Sequence, residues 1–302
     1  LLLGGIWAVV TTSAVLIFGW KGIFWTVAMV AILFIFAPRI PPATVMRMYR
    51  AQRVDYTASQ QLGHIMRELS SRAELATIPD LYVIPSRTLN AFATGTPKRA
   101  TIAITEGMLR RLGLREIIGV LAHEISHVRN NDLWIMSIAD IMSRLTQVLS
   151  YAALFMAILN LFALATGELY ISWIAILLLY LAPAISSLLQ LALSRAREYD
   201  ADLEAALLTG DPTGLASALK RLERHAGHMW EDFMFPVPGR RIPHPSVLRS
   251  HPETKHRIER LLSLTIPEPS APIVVAEGPM ISLLGLGPNE LRPRYRWPGI
   301  WY

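Results

Sequence analysis

The sequence predicts a mainly α membrane protein in which four transmembrane helices carry a polar α+β domain. Three observations point there. Hydrophobic residues make up 52% of the 302-residue chain and charged residues only 17%, whereas soluble domains carry about a quarter charged residues. The apolar residues are gathered into four runs, at about 1–19, 22–37, 145–165 and 169–193, rather than spread evenly. Between the second and third runs lies His123-Glu124-Ile125-Ser126-His127, embedded in a helix-periodic stretch.

Residues 1–37 read as a first transmembrane hairpin, with Trp20-Lys21-Gly22 between its arms; the second arm is only just long enough to span. A cleaved leader would show one apolar region and a small-residue cleavage site, so a hairpin suits this stretch better. Pro38, Pro41 and Pro42 close it.

Residues 38–144 form the first half of the polar domain. Residues 54–76 have helical periodicity, with Leu62, Ile65, Met66 and Leu69 on one face. Three strand-like runs follow at 80–85, 89–94 and 100–105, expected to form a small antiparallel sheet over the histidine helix. That helix is apolar around its polar residues: Leu114, Ile117, Ile118, Leu121, Ala122 and Ile125 recur at spacings of three and four. Asn130-Asn131-Asp132 makes a polar break after it.

Residues 145–193 read as a second hairpin that turns at Thr166-Gly167-Glu168; Pro183 would kink its return arm, which membrane helices tolerate. Residues 194–265 supply the other half of the polar domain, opening on a polar-faced helix at Ser194. Asp211-Pro212-Thr213-Gly214 starts a further helix over 215–228, whose His225 and His228 read as partly exposed helix residues. A Pro-rich loop at 235–245 holds His244, and His251-Pro252 caps a short helix over 253–262. Residues 266–302 form a Pro- and aromatic-containing tail.

His123 and His127 stand four residues apart, so on a helix they project from one face, one turn apart. Two neutral imidazoles so spaced can hold one Zn²⁺, leaving positions for a further ligand and a water. Glu124 sits beside them, placed to take a proton from that water as it attacks a carbonyl. With no cysteine in the chain, only His and carboxylate donors remain for zinc. Glu198 and Asp202 are again four apart on a helix; the natural assignment puts Glu198 on the ion and has Asp202 accept the free ring N–H of a ligating histidine.

HExxH followed downstream by ExxxD resembles the gluzincin zinc proteases, and the longer string SRAREYDAD is similar to HtpX-type membrane proteases and their relatives, the CAAX prenyl proteases. LNAFATG (89–95) and HPETKHRIERL (251–261) match two further blocks of that group in the same order. The resemblance spans about residues 39–262. It implies a zincin-like peptidase domain and endoproteolysis of membrane or misfolded proteins as quality control. It also implies a substrate-facing role for the Asn90-Ala91-Phe92-Ala93 run, which would hold protein or peptide substrates in extended form by strand addition. On residue type alone Phe92 is equally a core residue. The last block implies that His251 lies near the cleft, to steady an oxyanion or act as a reversible extra ligand; a capping role suits it as well. Tyr199, beside Glu198, is a second oxyanion candidate.

Charge predicts orientation. Fourteen Lys and Arg lie in 39–144 and fourteen in 195–296, while Lys21 alone marks the hairpin tips. By the positive-inside rule the zinc domain of this multi-pass cell-membrane protein faces the cytoplasm. The net charge of +6 comes with no basic stripe or recognisable nucleic-acid module, so lipid and peptide are the expected partners and nucleic acid is not. Nothing in the sequence assigns an oligomeric state. Two alternatives to a general endopeptidase stand beside it: a CAAX-type prenyl-peptide protease, and a non-catalytic membrane scaffold that keeps zinc for structure.

Overall fold

The computed structural model describes residues 1–21, 23–24, 27–28, 41–57, 59–166, 172–231, 254–264, 271, 273, 295–296 and 300–301. In chain order the elements are α1 (Leu2–Phe18), α2 (Pro42–Met48), β1 (Gln52–Arg53), α3 (Gln60–Arg72), β2 (Asp80–Ile84), β3 (Ala91–Thr96), β4 (Arg99–Thr105), α4 (Glu106–Arg111), α5 (Leu114–Arg129), α6 (Asp132–Thr166), α7 (Trp173–Thr209), α8 (Pro212–Glu231), α9 (Thr254–Ser263), β5 (Tyr295–Arg296) and β6 (Ile300–Trp301). They fall into two compact units, Leu1–Arg39 with Trp134–Ala196, and Ile40–Leu133 with Arg197–Tyr302.

In the first unit Ile6 and Val10 of α1 pack with Ala139, Met142 and Leu145 of α6 and Leu193 of α7. Further along, Ala153 of α6 packs with Ile176 and Leu179 of α7. Both α6 and α7 are long and apolar enough to cross a membrane. α6 starts at Asp132, well before residue 145, because nothing between them breaks a helix. α7 runs without interruption through Pro183 and Ser194 to Thr209, so the polar helix expected to begin at Ser194 is the far end of the apolar one. The run at 22–37 and the turn at 167–171 lie largely outside the described residues.

The second unit is built on a four-stranded sheet of order β1-β2-β4-β3. The sheet is mixed, not antiparallel: β1–β2 and β3–β4 are antiparallel, but β2 and β4 run parallel. The reason is burial. Residues 100–105 of β4 are all buried, and a strand covered on both faces belongs in the middle. The β3–β4 hairpin therefore lays β4 beside β2 and leaves β3 at the edge. Gly95 permits that hairpin: its φ is +102°, and a Cβ there would lie 2.2 Å from Arg99 O.

α3 is shorter than the 54–76 expected. Val54 N–H donates to Leu81 O at 2.8 Å, and Tyr56 Oη donates to Pro79 O at 2.8 Å and accepts from Leu81 N–H at 3.1 Å. These bonds tie 52–57 to β2 instead of to the helix. The core of this unit joins Ile65, Met66 and Leu69 of α3, Leu81 of β2, Ile102 and Ile104 of β4, Leu121 and Ile125 of α5, and Leu215 of α8.

Candidate metal centre and peptide cleft

α5 presents its histidines because three sets of contacts hold it in place. On one side α8 packs against it: a Cβ on Gly119 would lie 2.9 Å from Leu215 N and 3.0 Å from Leu215 Cα, so the backbones touch where only glycine fits. Glu116 adds polar contacts there, accepting from Gly113 N–H at 2.7 Å and Ser217 Oγ at 2.5 Å and pairing with Arg221 Nε at 2.9 Å. About two turns further along, Glu204 of α7 accepts from Ser126 Oγ and Asn130 Nδ2, each at 2.5 Å, and pairs with Arg129. One turn before Thr209, then, α7 is pinned along α5.

That register brings the predicted ligands together. His123 Nε2 and His127 Nε2 are 3.2 Å apart, Glu198 Oε2 is 3.4 Å from His123 Nε2, and Glu198 Oε1 is 3.7 Å from His127 Nε2. Three donors on one tetrahedral ion, with bonds of about 2.1 Å, would stand about 3.4 Å apart. The donor set therefore fits a divalent ion bound by two imidazoles and a carboxylate. The other ring nitrogens face outward to carboxylates: His123 Nδ1 lies 3.1 Å from Asp202 Oδ1, and His127 Nδ1 lies 2.8 Å from Asp132 Oδ2. A ring whose Nδ1–H points at a carboxylate offers the Nε2 lone pair to the centre.

The site is strongly acidic before any ion enters. Burial disfavours a charged His123, but Asp202 and Glu198 outweigh it and hold the imidazole up at about 10. An ion must displace that proton. Burial likewise opposes the Asp202 carboxylate, and Arg257 and His123 hold it below the ordinary carboxylate value. Arg257, only 3% exposed, reaches Asp202 with two nitrogens at 2.6 and 2.7 Å and Glu198 Oε2 with a third at 3.1 Å. Sequence reasoning missed it, as it missed Asp132; the available signal for Arg257 was its place within the HPETKHRIERL block.

Glu124 is 7% exposed. With His123, Asn90, Ala91 and Arg257 it lines a small cavity whose remaining walls are apolar, among them Val120 and Leu219. Asn90 Oδ1 is buried with no hydrogen-bond partner among the described residues, while its backbone is fixed by Thr105, whose N–H donates to Asn90 O at 2.9 Å. Ala91 and Ala93 are buried on the α5 face of β3.

The structure does not bring the Phe92 side chain to this cavity. It packs with Met46, Ile84 and Tyr49, its ring centroid 5.5 Å from that of Tyr49, because alternate residues of a strand face opposite ways. Tyr199 lies under the Arg260 guanidinium, 4.8 Å from ring centroid to charge, and is not among the groups that converge on the centre. His251 lies outside the described residues, as does His244.

Comparison with known proteins identifies relatives of the chain. The model of peptidase family M48 matches residues 57–265. The protease HtpX homologue of Paraburkholderia phytofirmans is 39% identical over 233 residues, covering 73% of this chain and 79% of the relative. That of Methylibium petroleiphilum is 36% identical over 233 residues, covering 73% and 80%. Among solved structures, S. mikatae Ste24p is similar in fold, with a TM-score of 0.50 at 22% identity over 85% of this chain and 62% of that one.

Proposed function

The chain belongs to peptidase family M48 and is a metalloendopeptidase, and from that premise we propose that it is a zinc-dependent protease of the membrane that cleaves membrane or misfolded proteins on the cytoplasmic side. The observation that carries the zinc reading is the convergence of His123 Nε2, His127 Nε2 and Glu198 within 4.8 Å of one another, one residue from Glu124. These three residues would hold the ion. When bound, it supplies a Lewis acid that polarises a carbonyl and acidifies water.

The rest is done by the chain. Glu124 accepts the proton of the attacking water and passes it to the departing amine. Asp202 keeps His123 in the tautomer that donates outward. β3 ends its sheet, so its outer edge can pair with an extended peptide of any sequence. The apolar cavity beside Glu124 then receives one side chain, and Asn90 Oδ1 accepts from a peptide N–H. Phe92 serves this strand only through its backbone. His251 keeps its proposed place by the cleft, and Tyr199 is not assigned a role in catalysis.

In this reading residues 1–37 and 145–193 are membrane hairpins, 38–144 and 194–265 are the two halves of the peptidase domain, and 266–302 is the tail. The lengths of α6 and α7 and the near absence of Lys and Arg at the hairpin tips support four spans with the zinc domain inside.

The test is casein cleavage or self-cleavage by the purified full chain, with and without a chelator. Glu124→Gln should lower turnover by about 10²–10⁴-fold while zinc content stays near one per chain. Proteolysis undiminished in Glu124→Gln would not arise at this site, and would support a scaffold in which zinc is structural.

A further inference from the structure

The two metal-facing histidines are backed alike. Each Nδ1 meets a carboxylate, and each carboxylate is held by an arginine: His123 by Asp202 and Arg257, His127 by Asp132 and Arg197. The second trio has an unusual origin. Asp132 is the last but one residue before the chain leaves its polar unit after Leu133, and Arg197 is the first residue on its return. We propose that Asp132 and Arg197 form a clasp at the base of the apolar insertion that positions His127 and the Glu198 helix for the metal. This rests on the zinc reading above.

Local geometry supports the assignment. Asp132 is 3% exposed, and a buried carboxylate persists only where it is paired. Its two oxygens divide the work: Oδ2 faces His127 Nδ1 at 2.8 Å, and Oδ1 receives Arg197 Nε at 2.5 Å together with Nη2. In an unbroken helix, residue 132 would project about 140° around the axis from residue 127 and could not reach it. The chain instead breaks at Asn131, whose φ of +55° is left-handed, a conformation that Asn tolerates better than most residues. That single turn folds Asp132 back onto the histidine.

Arg197 then carries the effect to a second ligand. It precedes Glu198 directly on α7, so the ion pair that steadies Asp132 also ties Glu198's helix to the end of α5. One contact thus orients His127 through Asp132 and sets the approach of Glu198. It also closes the loop formed by the whole insertion, alongside the Glu204 contacts to Ser126, Arg129 and Asn130.

The test is zinc affinity of the chelator-stripped full chain in detergent, read by competition with a chromophoric chelator well below each variant's melting temperature, alongside the visible spectrum of the Co²⁺-loaded protein. Asp132→Ala should weaken zinc binding about 10–100-fold and change the Co²⁺ bands. Arg197→Gln should weaken it by a smaller factor, and Arg197→Lys should recover part of that loss, because a point charge keeps the pairing but not the two-nitrogen grip. Should Asp132→Ala fail to fold, Asp132→Asn takes its place. Folded variants at both positions with zinc affinity within twofold of wild type and unchanged Co²⁺ bands overturn the clasp alone. A wild-type chain that binds no zinc overturns the clasp and the protease reading together.

Discussion

The two units use their apolar residues in opposite ways. In the polar unit Ile65, Leu81, Ile102 and Leu121 are fully buried around a sheet and its helices. In the other, Tyr151, Phe155 and Leu177 of α6 and α7 are 64%, 61% and 55% exposed, while Thr146 and Ser186 on the same helices are fully buried. Such an inside-out order would be an aggregation surface in water. In hydrocarbon it is the expected one: polar groups turn to protein and apolar groups to lipid. The two units differ in the solvent their apolar residues meet as well as in composition.

The largest test of that contrast pairs Ile102→Ala with Phe155→Ala. Ile102 sits in the middle of β4, and its truncation should cost about 2–5 kcal/mol as lost burial plus cavity. Phe155 should cost less than about 1 kcal/mol in detergent, since removing it exposes no new surface to water. Thermal melting of the purified variants decides it. Comparable losses at the two sites would mean that α6 is covered by protein, not lipid.

A sharper version uses two glycines. A methyl on Gly119 would press on the backbone of Leu215 at 2.9 and 3.0 Å, whereas one on Gly5 would meet the Leu189 Cδ1 methyl at 3.2 Å. Backbone cannot step aside and a leucine tip can. Gly119→Ala should therefore cost about 1–3 kcal/mol and lower activity, because α8 walls the cavity beside Glu124. Gly5→Ala should change melting by less than about 0.5 kcal/mol. A neutral Gly119→Ala would show that α8 shifts freely along α5.

The same distinction between local and distant determinants explains what the sequence alone could reveal. Both four-residue spacings, His123 to His127 and Glu198 to Asp202, are local, so the pairs could be recognised once each helix was recognised. β2, β3 and β4 were found within a few residues for the same reason. Their order was not, since β4's central place depends on a hairpin crossing back beside β2. Arg257 lies 55 residues from Asp202, and Arg197 lies 65 from Asp132; no periodicity links residues so far apart. Asn130-Asn131-Asp132 was legible only as a break, although a carboxylate five residues after the second histidine was the available signal.

The smallest effect concerns the outer rim of the α5–α8 contact. Asp211 caps α8, its Oδ1 accepting from Gly214 N–H at 3.1 Å and Thr213 Oγ1 at 2.6 Å, and it pairs with Arg115 of α5 through two bonds of 2.8 Å. Burial opposes its charge, but Arg115, Thr213 and the Gly214 N–H hold its carboxyl below the usual value of 3.8. A carboxyl depressed in the folded state stabilises the protein above its unfolded pKa, and that stabilisation is lost as pH falls through the folded value. Arg115 is 73% exposed, so solvent screens the pair and its charge contributes only about 0.5 kcal/mol. Asp211→Asn keeps an acceptor for the cap and removes the charge; its melting temperature should fall by about 1–2 °C at pH 7. The gap to wild type should narrow as pH falls below 3.8, through the lower folded value, and narrow in molar salt. A gap that neither acid nor salt narrows would rule out the charge of Asp211 as its source and leave Gly119, not the ion pair, as what holds α8 against the metal helix.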